Sequence, residues 1–158
     1  MSGFIAGGLV PSESEPGIHI NSDPFWPSID LDKLRQTLRI DSSVTTARLE
    51  TAVVAAIISV NRDLAKWRLA RQAEGFITLA TVPGGEFLSD VERTYLYVRA
   101  VECAAGAEVC ERYRGYDTTA SGSNNADESA PTIDDYRRDQ RWAVRDFLGK
   151  SRTTVELL

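Results

Sequence analysis

Residues that build catalytic and metal sites are scarce in this chain of 158 residues, which has one histidine and two cysteines. His19 lies in a stretch without regular periodicity, so a histidine-dependent nucleophile would have no rigid scaffold. A structural zinc ion needs about four thiolate or imidazole ligands, more than the chain offers. Cys103 and Cys110 lie in one predicted helix, roughly 10 Å apart and too far for a disulfide. The residue inventory therefore predicts that the protein is not an enzyme and holds no cofactor or metal.

Long hydrophobic runs are also missing. The longest, residues 51–60, is half of the roughly 20 residues that a membrane-spanning helix needs. The apolar opening, residues 1–10, has no cation ahead of it and does not have the pattern of a secretory signal. We expect no membrane partner and a protein that stays in the cytoplasm where it is made.

Positive charge is in deficit, with 18 lysines and arginines against 23 acidic residues and a net charge of −5. A surface that binds nucleic acid without sequence preference needs clustered positive charge. The overall balance therefore argues against such a surface, although a local basic patch remains open.

Apolar residues recur at helical spacing in four stretches, which predicts an all-α, bundle-like fold with one short, one long and two medium helices. The short helix is expected from Ser28 or Asp30 to about Ile40. The long helix is expected from the capping residue Thr45 or Thr46 to a glycine stop at position 75.

The two medium helices carry capping signals at their starts. Ser89 and Glu92 form a capping box for the third helix, which we expect to end near Gly115. Its predicted inner stripe is Val91, Tyr95, Val98, Val101, Ala105 and Val109. Thr132 caps the fourth helix, which should stop at Gly149. The predicted inner face of this helix is Ile133, Tyr136, Gln140, Val144 and Phe147.

Three segments lack helical periodicity and divide the chain. Residues 1–27 are predicted to form an extended arm, and residues 28–149 to form one helical adaptor domain. Inside that domain, residues 117–131 are polar and predict a flexible loop. Residues 150–158 form a tail.

Apolar side chains lie at both ends of the helical domain, and they must be buried against another surface. Phe25 and Trp26 lie between two prolines that disfavour helix, so we interpret the pair as an anchor that contacts another protein. The tail ends with three apolar side chains that predict docking on another surface, with strand pairing and disorder left as alternatives. These are Val155, Leu157 and Leu158.

The fourth helix also carries a basic strip beside a tryptophan. Its members are Arg138, Arg141, Trp142 and Arg145, with Arg137 alongside. Such a strip could bind phosphates and stack on bases. Arginine and tryptophan are also enriched at protein contact hot spots, and the net negative charge favours this second interpretation. The nearby acids Asp134, Asp135 and Asp139 have the spacing of helical ion pairs, which we favour over a metal or acid–base site.

Two segments go beyond a generic helix: residues 111–117 and residues 134–145. Together with residues 25–30, 47–50 and 75–83, and with Gly149, Lys150 and Arg152, they resemble the GPL-type head completion proteins of temperate contractile-tailed bacteriophages. The resemblance covers the chain from about residue 24 to its end.

This resemblance implies a structural virion protein of the head–tail neck, assembled in the host cytoplasm. Proteins of this family are understood to bind the portal as a ring after DNA packaging, to stabilise the filled head and to offer the surface for tail attachment. The implied partners are the portal protein, further copies in a dodecamer and a tail-completion or neck protein. Packaged DNA would pass through the ring without sequence-specific binding. A small helical DNA-binding protein that uses residues 137–145 is the alternative.

Overall fold

The structure, a computed structural model, describes residues 17–20, 23–86, 88–113 and 131–152. These residues form five α-helices, a short antiparallel hairpin and one 3₁₀ turn at Leu79–Thr81. The hairpin pairs β1 (His19–Ile20) with β2 (Ile29–Asp30). The helices are α1 (Leu31–Thr37), α2 (Thr46–Asp63), α3 (Ala65–Ala73), α4 (Asp90–Tyr113) and α5 (Ile133–Phe147). The prediction of an all-α fold is confirmed.

The predicted helix starts follow from side chains that accept hydrogen bonds from free backbone N–H groups. The Asp30 carboxylate accepts from the N–H groups of residues 32 and 33 at the start of α1. Thr45 caps α2, and Ser89 with Glu92 forms the predicted box at α4. Thr132 caps α5. All four helix starts are therefore determined locally by the sequence.

The prediction of one long helix up to Gly75 is wrong, because the helix breaks at Leu64 into α2 and α3. Leu64 has φ −95° and ψ 1°, although its N–H still bonds the Val60 carbonyl and its carbonyl still accepts from the N–H of Arg68. Its side chain is completely buried. No glycine or proline marks this site, so helical periodicity does not predict the break.

Helix α4 is the central element, packed between α2 and α5. Its second half is buried on most sides, because small residues let its neighbours approach closely: Ala100, Ala104, Ala105, Gly106 and Ala107. At Gly106 a Cβ atom would lie 2.8 Å from the Tyr136 ring of α5. The two helices thus approach each other closely at Gly106.

The predicted stripe of α4 is correct only in its second half. Val101 and Ala105 are buried and Val109 nearly so, whereas Val91 and Tyr95 are exposed. At this end of the helix the inward-facing residue is Tyr97, whose hydroxyl donates to the Asn61 side chain of α2. The prediction is wrong for the first half because the two halves of α4 are covered differently. The second half is buried on several sides, whereas the first half is covered only on the side of Tyr97.

An aromatic cluster closes the core at the end where α3, α4 and α5 meet. Trp26 stacks on Tyr97 with ring centroids 4.5 Å apart, and Trp67 meets Phe147 edge-on at 4.8 Å. Phe25 packs edge-on against Trp26 at 4.9 Å. These rings join the segment before β2 to three helices.

Helix α5 has the predicted polarity of faces. Gln140, Val144 and Phe147 are buried, and Gly149 ends the helix with a φ of +65°. The predicted loop at residues 117–131, except for Pro131, lies outside the described residues, as do the predicted end of the third helix near Gly115 and the tail beyond Arg152. Within the described ranges, no helix combines the length and apolar content that crossing a membrane requires.

Candidate contact surface

The strongest sequence candidates lie together on the outer side of α5. Arg138, Arg141, Trp142 and Arg145 recur at spacings of three and four, which places them along one helical face. Arg138 and Arg141 are exposed, and Trp142 and Arg145 are half-buried. We call these four residues the α5 strip.

Trp142 is the centre of the α5 strip. The guanidinium carbon of Arg138 lies 4.8 Å from its ring centroid, and that of Arg152 lies at the same distance. Each arginine is held in turn by carboxylates: Arg138 by Asp135 and Asp139, both at 3.0 Å, and Arg152 by Asp146. Each arginine beside the Trp142 ring thus has a carboxylate partner within the same chain.

Acidic side chains of the same chain neutralise most of the positive charge around the α5 strip. Arg137 donates to both carboxylate oxygens of Glu111 at 2.9 Å and lies 3.7 Å from Glu108. Arg138 is ion-paired as described above. Among the described residues, Arg141 makes no ion pair. Guanidinium groups engaged with carboxylates are poorly placed to take DNA phosphates, which weakens the DNA-binding alternative.

Two of the three aspartates near the start of α5 have partners within the described chain. Hydrogen bonds from the Thr132 backbone and hydroxyl lower the pKa of Asp135. Asp139 bonds Arg138 and lies 3.7 Å from Arg99 of α4. Within the residues that the structure describes, no group of three possible metal ligands converges.

Two further residues contribute to this surface, Arg152 and Arg99, and the sequence did not predict either as a contact residue. Arg152 folds back over Trp142, and the Arg145 guanidinium donates to the Ser151 carbonyl at 2.9 Å, which fastens the chain after α5 to the helix. Arg99 joins α4 to the α5 strip through Asp139. A basic residue shortly after a helix stop is the only sequence signal for Arg152, and it is weak because such residues also cap carbonyl groups.

Phe25 and Trp26 lie elsewhere. Each is only 2% exposed, because both pack into the aromatic cluster of their own chain. The surface that these two aromatics cover is therefore intramolecular, and the prediction that they contact another protein does not fit their burial. Val155, Leu157 and Leu158 lie outside the described residues, so their contacts stay a prediction.

The single histidine has no catalytic setting in the described chain. His19 is exposed on β1 and pairs across the hairpin with Asp30, whose carboxylate caps α1. The Cys103 thiol is buried, which raises its pKa to about 11 and disfavours the reactive thiolate.

Two comparisons with known proteins found matches. The sequence model of the phage head completion proteins (GPL) matches residues 20–158. The chain is similar to the head completion/stabilization protein of Escherichia phage P2, with 37% identity over 145 residues, covering 92% of this chain and 85% of that protein. No solved structure matches the chain.

Proposed function

Because the chain belongs to the phage head completion proteins of the GPL family, we propose that it works as a non-catalytic adaptor between head and tail. In this proposal it binds the portal as a ring after DNA packaging and stabilises the filled head. The lower face of the ring offers the surface on which a tail-completion or neck protein docks. The ring is assembled in the host cytoplasm and becomes part of the virion.

The observation that carries this proposal is the α5 strip, an arginine and tryptophan surface on the outer side of α5. Trp142 is flanked by two arginines at 4.8 Å, and both arginines are fixed by carboxylates. Tryptophan and arginine are the residue types that contribute most often to protein contact hot spots. A nearly neutral surface of this kind suits a protein partner better than a polyanion.

In this proposal the portal binds the α5 strip together with three apolar residues of the tail, Val155, Leu157 and Leu158. The chain that leaves α5 is fastened along this helix, with Arg152 over Trp142 and Ser151 bonded to Arg145. The tail therefore starts beside the strip, and its apolar side chains have the chemistry to extend the same contact. DNA passes through the ring without specific binding, in keeping with the net charge of −5.

The test is portal binding by purified variants. Trp142→Ala should weaken binding at least about tenfold, the equivalent of ~1.4 kcal/mol, because it removes the central ring of the contact. Arg48→Ala on α2, an exposed arginine away from the strip, is the matched control and should bind as the unchanged protein does. Normal portal binding by a folded Trp142→Ala variant would contradict the assignment.

DNA retention by the same proteins separates the two candidate functions. We expect the unchanged protein to retain little DNA at low salt. Charge reversal of Arg138 and Arg141 to glutamate should impair assembly with the portal. Tight DNA binding that this charge reversal abolishes would favour the DNA-binding alternative instead.

A further inference from the structure

Two arginines from different helices lie at the ring of one tryptophan. The guanidinium carbon of Arg71 on α3 lies 5.9 Å from the centroid of the Trp67 ring, and that of Arg93 on α4 lies 5.4 Å from it. We call Arg71 and Arg93 the arginine pair. Both side chains are half-buried. Two like charges are thus held close together in a partly desolvated place, which is unfavourable unless an anion compensates them.

The carboxylates of the chain compensate only part of this charge. Glu74 bonds the Nη2 atom of Arg71 at 2.8 Å. Arg93 makes no ion pair among the described residues, and its Nη1 atom donates to the Pro83 carbonyl at 3.2 Å. Burial and then the Arg71 cation lower the pKa of Arg93, although Asp90 opposes them. Two guanidinium groups with one bonded carboxylate leave one positive charge unpaired.

Hydrogen bonding is incomplete at the same place. The Nε atoms of Arg71 and Arg93 are buried and have no hydrogen-bond partner in the chain. Buried donors are nearly always paired, so two unpaired donors side by side indicate an acceptor that comes from outside. Arg68 also has an unpaired Nε atom, but its charge is compensated by Asp23. The arginine pair therefore lacks both a negative charge and hydrogen-bond acceptors.

A single carboxylate matches this deficit. A guanidinium group presents parallel N–H donors that fit the two oxygens of a carboxylate, and one carboxylate supplies the one missing charge. A nucleic acid would bring several closely spaced phosphates, which the neighbouring Glu74 and Asp90 would repel. The composition of the site therefore favours an isolated acidic side chain over a polyanion.

The arginine pair and the α5 strip lie on different sides of α5. The Trp67 ring meets Phe147 of α5 edge-on at 4.8 Å. Phe147 comes five residues after Trp142, and five residues rotate a helix by about 500°, so the two side chains point about 140° apart. A partner bound to the α5 strip would therefore leave the arginine pair open to a different protein chain.

We infer that the arginine pair is a binding site for a carboxylate, and that its occupant in the assembled neck is an acidic side chain of another protein chain. The carboxylate accepts hydrogen bonds from N–H groups of both arginines, and the Trp67 ring forms the apolar floor of the site. The identity of the occupant rests on the proposed function, because it requires assembly. The carboxylate site itself requires no partner.

Nuclear magnetic resonance of the arginine Nε–H groups tests the site in the free protein. Arg71→Lys and Arg93→Lys proteins identify the two resonances by their loss. Titration with sodium acetate at constant ionic strength should shift both resonances in a saturable way. Arg35 on α1 is the matched control, because it is also half-buried but donates to the carbonyl groups of Asp41 and Val44, and its resonance should not shift.

The same titration distinguishes the chemistry of the ligand. Arg93→Lys keeps the charge but loses the parallel donors, so it should weaken the acetate response that is read at Arg71. The absence of a saturable response to acetate would overturn the inference. A response to inorganic phosphate or to a short single-stranded DNA without a response to acetate would also overturn it, because the site would then take a phosphate.

Phenylglyoxal labelling of guanidinium groups, read by mass spectrometry, tests the occupant in the portal-bound protein. Arg71 and Arg93 should react in the free protein and lose most of this labelling on assembly, whereas the exposed Arg48 should react equally in both states. Equal labelling of the arginine pair in both states would refute the occupant. A protein that ignores portal would refute the proposed function and the occupant together, while the acetate titration would still decide on the carboxylate site.

Discussion

Gly106 provides the sharpest test of the packing between α4 and α5. A Cβ atom at this position would lie 2.8 to 2.9 Å from three carbons of the Tyr136 ring. Carbon atoms in contact prefer separations of about 3.5–4.0 Å, so the ring or the helix must move by several tenths of an ångström. Overpacking of this kind costs roughly 1–3 kcal/mol, whereas replacing a helical glycine by alanine gains only about 0.5–1 kcal/mol. Gly106→Ala should therefore destabilise the protein by about 1–2 kcal/mol.

A double-mutant cycle separates the two contributions. In a Tyr136→Ala background the clash is gone, so Gly106→Ala should stabilise the fold by roughly 0.5–1 kcal/mol through helix propensity alone. The sign of the effect should thus reverse between backgrounds, as measured by urea unfolding monitored by circular dichroism. If Gly106→Ala stabilises both backgrounds equally, α4 and α5 do not approach each other as described.

Three further predictions concern the capping residues and the buried tyrosine. Thr132→Ala should destabilise the protein by about 1 kcal/mol in urea unfolding, because the hydroxyl no longer accepts from the Asp135 N–H, and Thr132→Ser should retain most of the stability. Tyr97→Phe should cost about 1 kcal/mol, since it keeps the stacked ring but loses the 2.9 Å hydrogen bond to Asn61; an unchanged denaturation midpoint would refute that bond. The pKa of Asp135 is lowered from 3.8 in the folded state, so its contribution to stability is present above that pH and is lost as the pH falls below it. Asp135→Asn should accordingly flatten the decline of the melting temperature in acid.

The helices could be predicted from the sequence largely because their starts are local events. A capping side chain and the N–H groups that it satisfies lie within three residues of each other. Asp30, Ser89 and Thr132 therefore predict the starts of their helices without tertiary information. The membership of the α5 strip was equally readable, because helical spacing alone places its four residues on one face.

Features that depend on distant parts of the chain could not be predicted in this way. The break at Leu64 and the burial of Phe25 and Trp26 both accompany packing against other helices. Val91 and Tyr95 were assigned to the core because they continue the period of Val101 and Ala105, although at that end of α4 the neighbouring helices cover the other side, where Arg93 and Tyr97 lie. Periodicity tells which residues share a face, but not what covers the face.

We propose that this head completion protein works by assembling on the portal. Mass measurement of the purified protein, alone and mixed with portal, tests it most directly. We predict a complex in which several copies join each portal ring, formed by the unchanged protein and weakened by Trp142→Ala. A protein that stays monomeric and leaves the mass of the portal unchanged would contradict the account.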